Sequence, residues 1–150
     1  MRVEEIMTKE VSYCAPGTNA AAAAEMMWTK NCGSLPVVED GGRVLGIVTD
    51  RDLFIALGTR NQRPADLPVG EVMNGDLAVC APGDDIRAVL KTMAQRQCHR
   101  LPVVDKDGAL AGILSIDDIV VRAQADGLSN DVLKAVKAIC DRTTQRAAGA

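Results

Sequence analysis

The sequence contains one pattern of residues twice, with a constant separation between equivalent positions. Leu-Pro-Val-Val occurs at residues 35–38 and again at 101–104. An ungapped comparison of residues 3–53 with 69–119 gives 18 identities in 51 positions, far above chance. Self-similarity over a fixed period means that each copy builds the same supersecondary unit. The sequence therefore predicts two similar units.

Composition limits how such units are stabilised and which partners they have. Hydrophobic residues make up 47% of the 150 residues but aromatic residues only 2%, so the expected core consists of Ala, Val, Leu, Ile and Met. Such a core favours two small units packing on each other over either unit standing alone. The formal net charge is −3 and no basic stripe is visible, which argues against a nucleic-acid binder.

The location is expected to be the cytoplasm. The first residues, Met1–Glu5, are acidic early and lack the apolar segment of a signal peptide. No run approaches the roughly 18 apolar residues that a membrane-spanning helix needs. The sequence therefore predicts neither secretion nor membrane insertion.

The cysteines indicate core positions rather than a metal site. None of them forms a Cys-x-x-Cys pair, and the only histidine is His99, so no metal is expected. An odd number of cysteines in the cytoplasm is typical of reduced thiols in small core positions. The five are Cys14, Cys32, Cys80, Cys98 and Cys140.

Each copy predicts the order strand, helix, strand, strand, helix. Gly-containing turns between two β-rich runs indicate hairpins, and Thr18 and Asp84 are expected to cap the first helix of each copy. The expected first strands are 11–14 and 77–80, the hairpin strands are 35–38 with 44–49 and 101–104 with 110–115, and the second helices begin near Asp50 and Ile116.

The domain boundaries follow from this order and from the Gly and Pro residues between the copies. Repeat 1 is expected at 1–57, a linker at 58–68, repeat 2 at 69–125, and a C-terminal helix and tail at 126–150. Asn130 or Asp131 is expected to cap that helix, which runs toward Thr143. Its apolar face either packs back on its own chain or covers a dimer partner, and the sequence does not decide between them.

The residues with chemistry lie where each hairpin ends. Thr49 and Ser115 are each followed three residues later by a carboxylate, Asp52 or Asp118. Ser/Thr-x-x-Asp is the pattern of a capping box, which satisfies helix N–H groups. A carboxylate also suits the two hydroxyls of a ribose, and a free helix N-terminus suits phosphate. Both interpretations stay open at this point.

Several features together resemble the tandem cystathionine-β-synthase (CBS) domain pair. Met7 and Met73 open the copies, Leu-Pro-Val-Val precedes each hairpin, and Gly-Ile-Val-Thr-Asp-Arg-Asp at 46–52 closes the first. The resemblance covers residues 3–122. It implies an α/β (α+β) fold of two βαββα repeats in a pseudo-twofold module, commonly a homodimer. It also implies two clefts between the repeats for adenosine-containing ligands, and a regulatory rather than catalytic role.

The resemblance further implies which residues form the two clefts. In the first, Asp52 would hold the ribose hydroxyls, with Thr49 near the phosphate and the Ile47 backbone near the base. The remaining residues of the first cleft are Asn74, Ala78, Cys98, His99 and Arg100. The second cleft is expected to contain Asp118, Ser115 and Ile113, with Thr8, Ser12, Cys32, Gly33, Ser34 and Arg51.

The two clefts differ in their expected phosphate-binding residues. Where the first has His99-Arg100, the second has Gly33-Ser34, which cannot neutralise a phosphate. Arg51 is available only to the second, and its counterpart Asp117 would repel a phosphate. The Asp52 cleft is therefore expected to be the better monophosphate site.

Three functions can be weighed on these residues. The leading hypothesis is a sensor that binds AMP, ADP, ATP, NAD or S-adenosylmethionine as a regulatory ligand, with AMP favoured and no cofactor required, and acts on an unknown regulated protein. The alternative is a structural or interaction protein with unoccupied clefts. An enzyme is disfavoured, because the sequence has one His and no Gly-rich phosphate loop.

Overall fold

The computed structural model describes residues 1–122 and 127–141, in two compact units built from helices and two small antiparallel sheets. We call them the first-repeat unit and the second-repeat unit. The first-repeat unit contains Glu10–Leu77 and Lys106–Leu110. The second-repeat unit contains Met1–Lys9, Ala78–Asp105 and the described residues from Ala111 onward. The expected boundary at 125 and the helix end near Thr143 lie outside the described residues.

The first-repeat unit has two helices and one hairpin. Pro36 lies opposite Ile47 and Val37 opposite Gly46 in the antiparallel pair, and a bulge follows between Val37 and Val38. Its elements are α1 (Ala20–Thr29), β1 (Ser34–Val38), β2 (Val44–Thr49), α2 (Asp50–Arg60) and short 3₁₀ turns at Pro64–Asp66 and Val69–Glu71. The hairpin strands are confirmed within one residue of their expected bounds.

The second-repeat unit repeats this arrangement and adds a helix. Its elements are a 3₁₀ turn at Val3–Glu5, α3 (Ile86–Arg96), β3 (Arg100–Val104), β4 (Leu110–Ser115), α4 (Ile116–Arg122) and α5 (Ser129–Cys140). The apolar face of α5 enters the core of its own unit through Val132, Ala135 and Ile139. The C-terminal helix therefore packs back on its own chain. It begins after Leu128 without a side-chain cap, so the expected caps Asn130 and Asp131 were wrong.

The opening segment of each repeat belongs to the unit built around the other repeat. The Val3 N–H donates to the Asp84 carbonyl at 3.0 Å, and Val3 is fully buried in the second-repeat core. At the equivalent place, the Val69 N–H donates to the Thr18 carbonyl at 2.8 Å in the first-repeat unit. The repeats in the sequence and the units in space therefore have different boundaries.

The structure corrects three local expectations. The strands expected at 11–14 and 77–80 are reduced to single bridges, at Cys14 with Val37 and Cys80 with Val103. The helix caps are Asn19 and Asp85, one residue later than expected. The side chains of Thr18 and Asp84 instead accept hydrogen bonds from Ala15 N and Ala81 N, which close the Ala-Pro-Gly turns. The expected linker begins too early, because α2 continues through Gly58 to Arg60.

Candidate functional site

Both Ser/Thr-x-x-Asp motifs form capping boxes at the start of a helix. In the first-repeat unit, Thr49 N donates to Asp52 Oδ2 at 2.9 Å, and Asp52 N donates to Thr49 Oγ1 at 3.1 Å. In the second-repeat unit, Ser115 N donates to Asp118 Oδ2 at 2.9 Å, and Asp118 N donates to Ser115 Oγ at 3.1 Å. The capping interpretation of these motifs is confirmed.

Capping leaves part of each carboxylate available. The cap uses only Oδ2 of Asp52 and of Asp118, and both residues are half-buried. No hydrogen bond among the described residues engages the other oxygen, Oδ1, of either carboxylate. The cap thus fixes the orientation of the side chain while one oxygen can still accept hydrogen bonds from a ligand.

The N-terminus of α2 is not a free phosphate site. Its first three N–H groups are already bonded: Asp50 N to the Gly33 carbonyl at 3.0 Å, Arg51 N to Asp50 Oδ1 at 2.7 Å, and Asp52 N to Thr49 Oγ1. An anion binds a helix N-terminus through N–H groups that have no other partner. Of the two interpretations left open by the sequence, the structure therefore favours the cap over a free helix N-terminus, and a phosphate here has to be bound by side chains.

A short strand-like segment is paired with the second strand of each hairpin. The N–H and carbonyl of Ile47 bond the carbonyl and N–H of Asn74, at 3.1 and 2.9 Å. Ile113 and Thr8 form the same two bonds at 2.9 Å each. This brings together Ile47 with Asn74 and Ile113 with Thr8, as the resemblance implies. The Ile47 N–H is already used, so it is not available to hydrogen-bond an adenine base.

These pairings require glycine in the hairpins. A Cβ on Gly46 would lie 2.6 Å from the Asn74 carbonyl oxygen and 3.0 Å from Met73 Sδ. A Cβ on Gly112 would meet Thr8 O at 2.8 Å and Met7 Sδ at 3.0 Å. The Met and Gly-Ile positions of the repeat therefore lie together where the opening segment closely approaches the hairpin.

The two motifs differ in their hydroxyl groups. Ser115 Oγ also donates to Asp118 Oδ2, at 2.6 Å. Thr49 Oγ1 accepts from Asp52 N, and no acceptor for its own proton lies among the described residues. A hydroxyl with an unused proton can donate to a phosphate oxygen, and Ser115 has to give up an internal bond to do the same.

A cavity of about 280 Å³ opens beside Asp52 in the first-repeat unit. Arg60 and Glu71 form an ion pair at its edge, with Nη1 and Oε2 3.4 Å apart. Sequence reasoning missed this cavity, although the helical spacing i+3, i+4 and i+7 from Asp52 points to three of its residues. The lining residues are Asp52, Ile55, Ala56, Thr59, Arg60, Glu71 and Val72.

The other residues implied for the clefts are distributed over the two units. Ala78, Cys98, His99 and Arg100 lie in the second-repeat unit, and the last three are at or directly before the start of β3. Ser12, Cys32, Gly33, Ser34 and Arg51 lie in the first-repeat unit. Ser34 is buried at the start of β1, while His99 and Arg51 are exposed and Arg100 is half-buried.

Two of the five cysteines are core thiols. Cys14 and Cys80 are buried with Sγ 3.9 Å from the Pro36 and Pro102 carbonyls. Burial raises the pKa of Cys14 from 9.0 to about 11, and burial with the nearby Asp84 raises the pKa of Cys80 to about 12. The core expectation is confirmed for these two, whereas Cys140 is exposed. Among residues 1–122 and 127–141, no group of His, Cys, Asp or Glu side chains could hold a metal ion.

Comparison with known proteins identifies a family model and several relatives. The CBS domain model matches residues 3–59 and 69–124. The CBS domain-containing protein YhcV of Bacillus subtilis is 36% identical over 132 residues, 87% of this chain and 91% of that protein.

None of the helices in the described part of the chain has the length and apolar character needed to cross a membrane.

Solved structures of CBS proteins share the fold. The CBS domain pair of protein MJ0100, solved with 5′-methylthioadenosine and S-adenosyl-L-methionine, has a TM-score of 0.75 and 22% identity, covering 83% of this chain and 96% of that one. CBSX2, solved in complex with AMP, has a TM-score of 0.71 and 29% identity, covering 82% and 96%.

Proposed function

The chain belongs to the CBS domain family as a tandem pair, and from that premise we propose that it is a regulatory module that binds an adenosine-containing nucleotide, with AMP preferred. The observation that carries this proposal is the carboxylate of Asp52, which the capping box holds in place with Oδ1 unengaged. The AMP complex of CBSX2, 29% identical to this chain, supports AMP as the first ligand to test.

The carboxylate suits a ribose for a physical reason. A carboxylate only accepts hydrogen bonds, and the vicinal hydroxyls of a ribose are two donors set side by side. Hydrogen bonds to charged groups contribute about 1.5–3 kcal/mol, enough for a ten- to hundredfold effect on affinity. Because the capping box already fixes the Asp52 side chain, little rotamer freedom is lost on binding.

The Asp52 site is proposed as the better monophosphate site. The Thr49 hydroxyl can donate to phosphate without losing an internal bond, whereas Ser115 donates to Asp118. The family resemblance adds His99 and Arg100 as phosphate-binding residues of this site and Arg51 of the Asp118 site. Those roles stay predictions that single substitutions test.

The test is calorimetry of AMP binding to the full chain and to Asp52→Asn and Asp118→Asn. Asparagine keeps a cap acceptor but removes the charge that favours two hydroxyl donors. We expect Asp52→Asn to weaken AMP binding at least about tenfold and Asp118→Asn to leave the tighter site intact. Arg100→Ala is expected to weaken AMP more than adenosine, because only AMP carries a phosphate.

Asp85→Asn is the matched control. Asp85 caps α3 by accepting from Arg87 N at 2.9 Å, but it belongs to neither Ser/Thr-x-x-Asp motif. Its substitution is expected to leave AMP affinity unchanged. Loss of AMP binding in Asp118→Asn with unchanged binding in Asp52→Asn would reverse the assignment of the two sites.

The proposed output is regulatory. A ligand signals only when its affinity differs between two states of the protein, such as two dimer arrangements or the free and partner-bound chain. A thermal-shift panel of AMP, ADP, ATP, NAD and S-adenosylmethionine selects the ligand. No shift with any of the five would contradict the proposal and favour the interaction protein. Non-enzymatic function, a homodimer and a cytoplasmic location stay predictions.

A further inference from the structure

Asn74 is followed directly by Gly75, and the chain contains no other Asn-Gly pair. An asparagine side chain can react with the main-chain nitrogen of the next residue, and glycine hinders that approach least because it has no Cβ. Both residues are exposed in the first-repeat unit. The side-chain amide and the nitrogen that can attack it therefore lie next to each other, in contact with water.

The Gly75 N–H is available as the nucleophile. No hydrogen bond in the described part of the chain engages it, although Asn74 N donates to the Ile47 carbonyl and Asp76 N donates to Asn74 Oδ1. A nitrogen without a hydrogen-bond partner can lose its proton to water without first giving up a bond inside the protein. Of three successive main-chain nitrogens, the middle one is therefore free to react.

The Asn74 side chain is held for this reaction by a turn. Its Oδ1 accepts the hydrogen bond from Asp76 N at 3.0 Å, which folds the side chain over the Gly75 peptide. Attack on Cγ places negative charge on Oδ1, and a main-chain N–H that already points at this oxygen stabilises that charge. One hydrogen bond therefore both positions the side chain and activates its carbonyl group.

We propose that Asn74 is a site of spontaneous deamidation in the folded chain. The Gly75 nitrogen forms a bond to Asn74 Cγ, the Cγ–Nδ2 bond breaks, and Nδ2 leaves as ammonia with the proton from Gly75. Water then opens the cyclic imide at one of its two carbonyls. Opening at Cγ gives aspartate. Opening at the main-chain carbonyl gives isoaspartate, in which Gly75 is joined to Cγ and the former carbonyl is a carboxylate.

The two products differ in their effect on the fold. The Asn74 carbonyl accepts the 3.1 Å bond from Ile47 N, and its oxygen lies only 2.6 Å from the place of a Cβ on Gly46. Isoaspartate puts a carboxylate with two oxygens into this space and reroutes the chain that follows. Aspartate keeps the main chain and the acceptor for Asp76 N. Isoaspartate therefore loosens the opening segment of repeat 2 from the first hairpin, independently of nucleotide binding.

The test is incubation of the full chain at neutral pH, with peptide mapping by mass spectrometry at successive times. Deamidation exchanges NH for O, and aspartyl and isoaspartyl peptides separate by chromatography. We expect Asn74 to react at least about tenfold faster than any other asparagine, because only Asn74 combines a following glycine with an N–H on Oδ1. The other asparagines are Asn19, Asn31, Asn61 and Asn130.

Gly75→Ala is the matched control. A Cβ at this position meets only the Leu45 carbonyl oxygen among the described residues, at 3.9 Å, so the fold accepts it. The added methyl group hinders the approach of the nitrogen, and we expect deamidation at Asn74 to slow at least about fivefold. An equal rate in Gly75→Ala would overturn the proposal, because the loss of ammonia would then not pass through the imide.

A synthetic peptide of residues 70–79 separates the contribution of the fold from that of the sequence. We expect the native chain to react at least as fast as this peptide, because the Asp76 N–H is already in place. A slower reaction in the native chain would overturn the proposal, since the fold would then protect Asn74.

Urea unfolding measures the consequence for the fold. We expect the incubated chain to develop a second, lower unfolding midpoint in proportion to its isoaspartate content. Asn74→Asp and incubated Gly75→Ala are expected to keep the midpoints of their fresh samples. An unchanged midpoint in chains that carry isoaspartate would contradict the loosening of the opening segment.

Discussion

Replacing Gly46 by alanine adds a methyl group where the opening segment of repeat 2 crosses the first hairpin. That Cβ would lie 2.6 Å from the Asn74 carbonyl oxygen, against 3.4 Å for an ordinary contact, so the carbonyl has to move by about 0.8 Å. The same carbonyl accepts the 3.1 Å hydrogen bond from Ile47 N, which such a shift breaks. Overpacking costs about 1–3 kcal/mol and each lost backbone bond about 0.5–1.5 kcal/mol.

We therefore expect Gly46→Ala to lower the free energy of unfolding by about 1.5–4.5 kcal/mol, a large part of the stability of a small domain. The measurement is the urea unfolding midpoint of the full chain, followed by circular dichroism. Gly58→Ala is the matched control, because Gly58 lies within α2 and a Cβ there meets nothing within 4 Å. That control is expected to stabilise by up to about 1 kcal/mol. A loss below about 0.5 kcal/mol in Gly46→Ala would refute the close-approach argument.

Three further outcomes follow from burial and exposure. Because the pKa values of Cys14 and Cys80 are raised to about 11 and about 12, the stability they contribute is fully present below about pH 9 and declines above it, by up to about 1.4 kcal/mol per pH unit for each thiol. Urea unfolding at rising pH shows this decline, and it is expected to be shallower in the variant with both cysteines replaced by alanine. Ile139→Ala is expected to cost about 2–4 kcal/mol by thermal unfolding, and Leu133→Ala, half-exposed on the same helix, less than about 0.5 kcal/mol. Asp131→Ala removes an exposed ion pair to α3 and is expected to change the free energy of unfolding, measured by urea unfolding, by no more than about 0.5 kcal/mol.

The features that the sequence predicted well are those that depend on residues close together in the sequence. The hairpin bounds follow from Gly-containing turns between β-rich runs, and β2 and β4 have the expected bounds. The capping box at Asp52 needs only a hydroxyl residue three positions earlier. The first strand of each copy was wrong because Cys14 pairs with one neighbouring strand at a single position, and the turn at Pro16 follows at once.

Features that join distant parts of the chain could not be predicted. The Asp50 N–H is already bonded to the Gly33 carbonyl, and this pairing across the hairpin makes that N–H unavailable to a phosphate at the start of α2. The Arg60–Glu71 pair beside Asp52 joins the end of one repeat to the start of the next. The apolar face of α5 could pack on its own chain or on a dimer partner. The helical spacing of its apolar residues is the same in both cases, so the sequence could not decide between them.

The exchange of opening segments bears on how such a chain can arise. A unit consists of the body of one repeat and the opening segment of the other, so a single repeat contains one copy of every part but cannot close on itself. Two separate copies could complete each other by swapping that segment, at a cost set by their concentration. Joining them in one polypeptide makes the swap intramolecular and raises the effective concentration of each segment to the millimolar range or above. Gene fusion of two such copies thus replaces an assembly that depends on protein concentration with a single folded chain that does not.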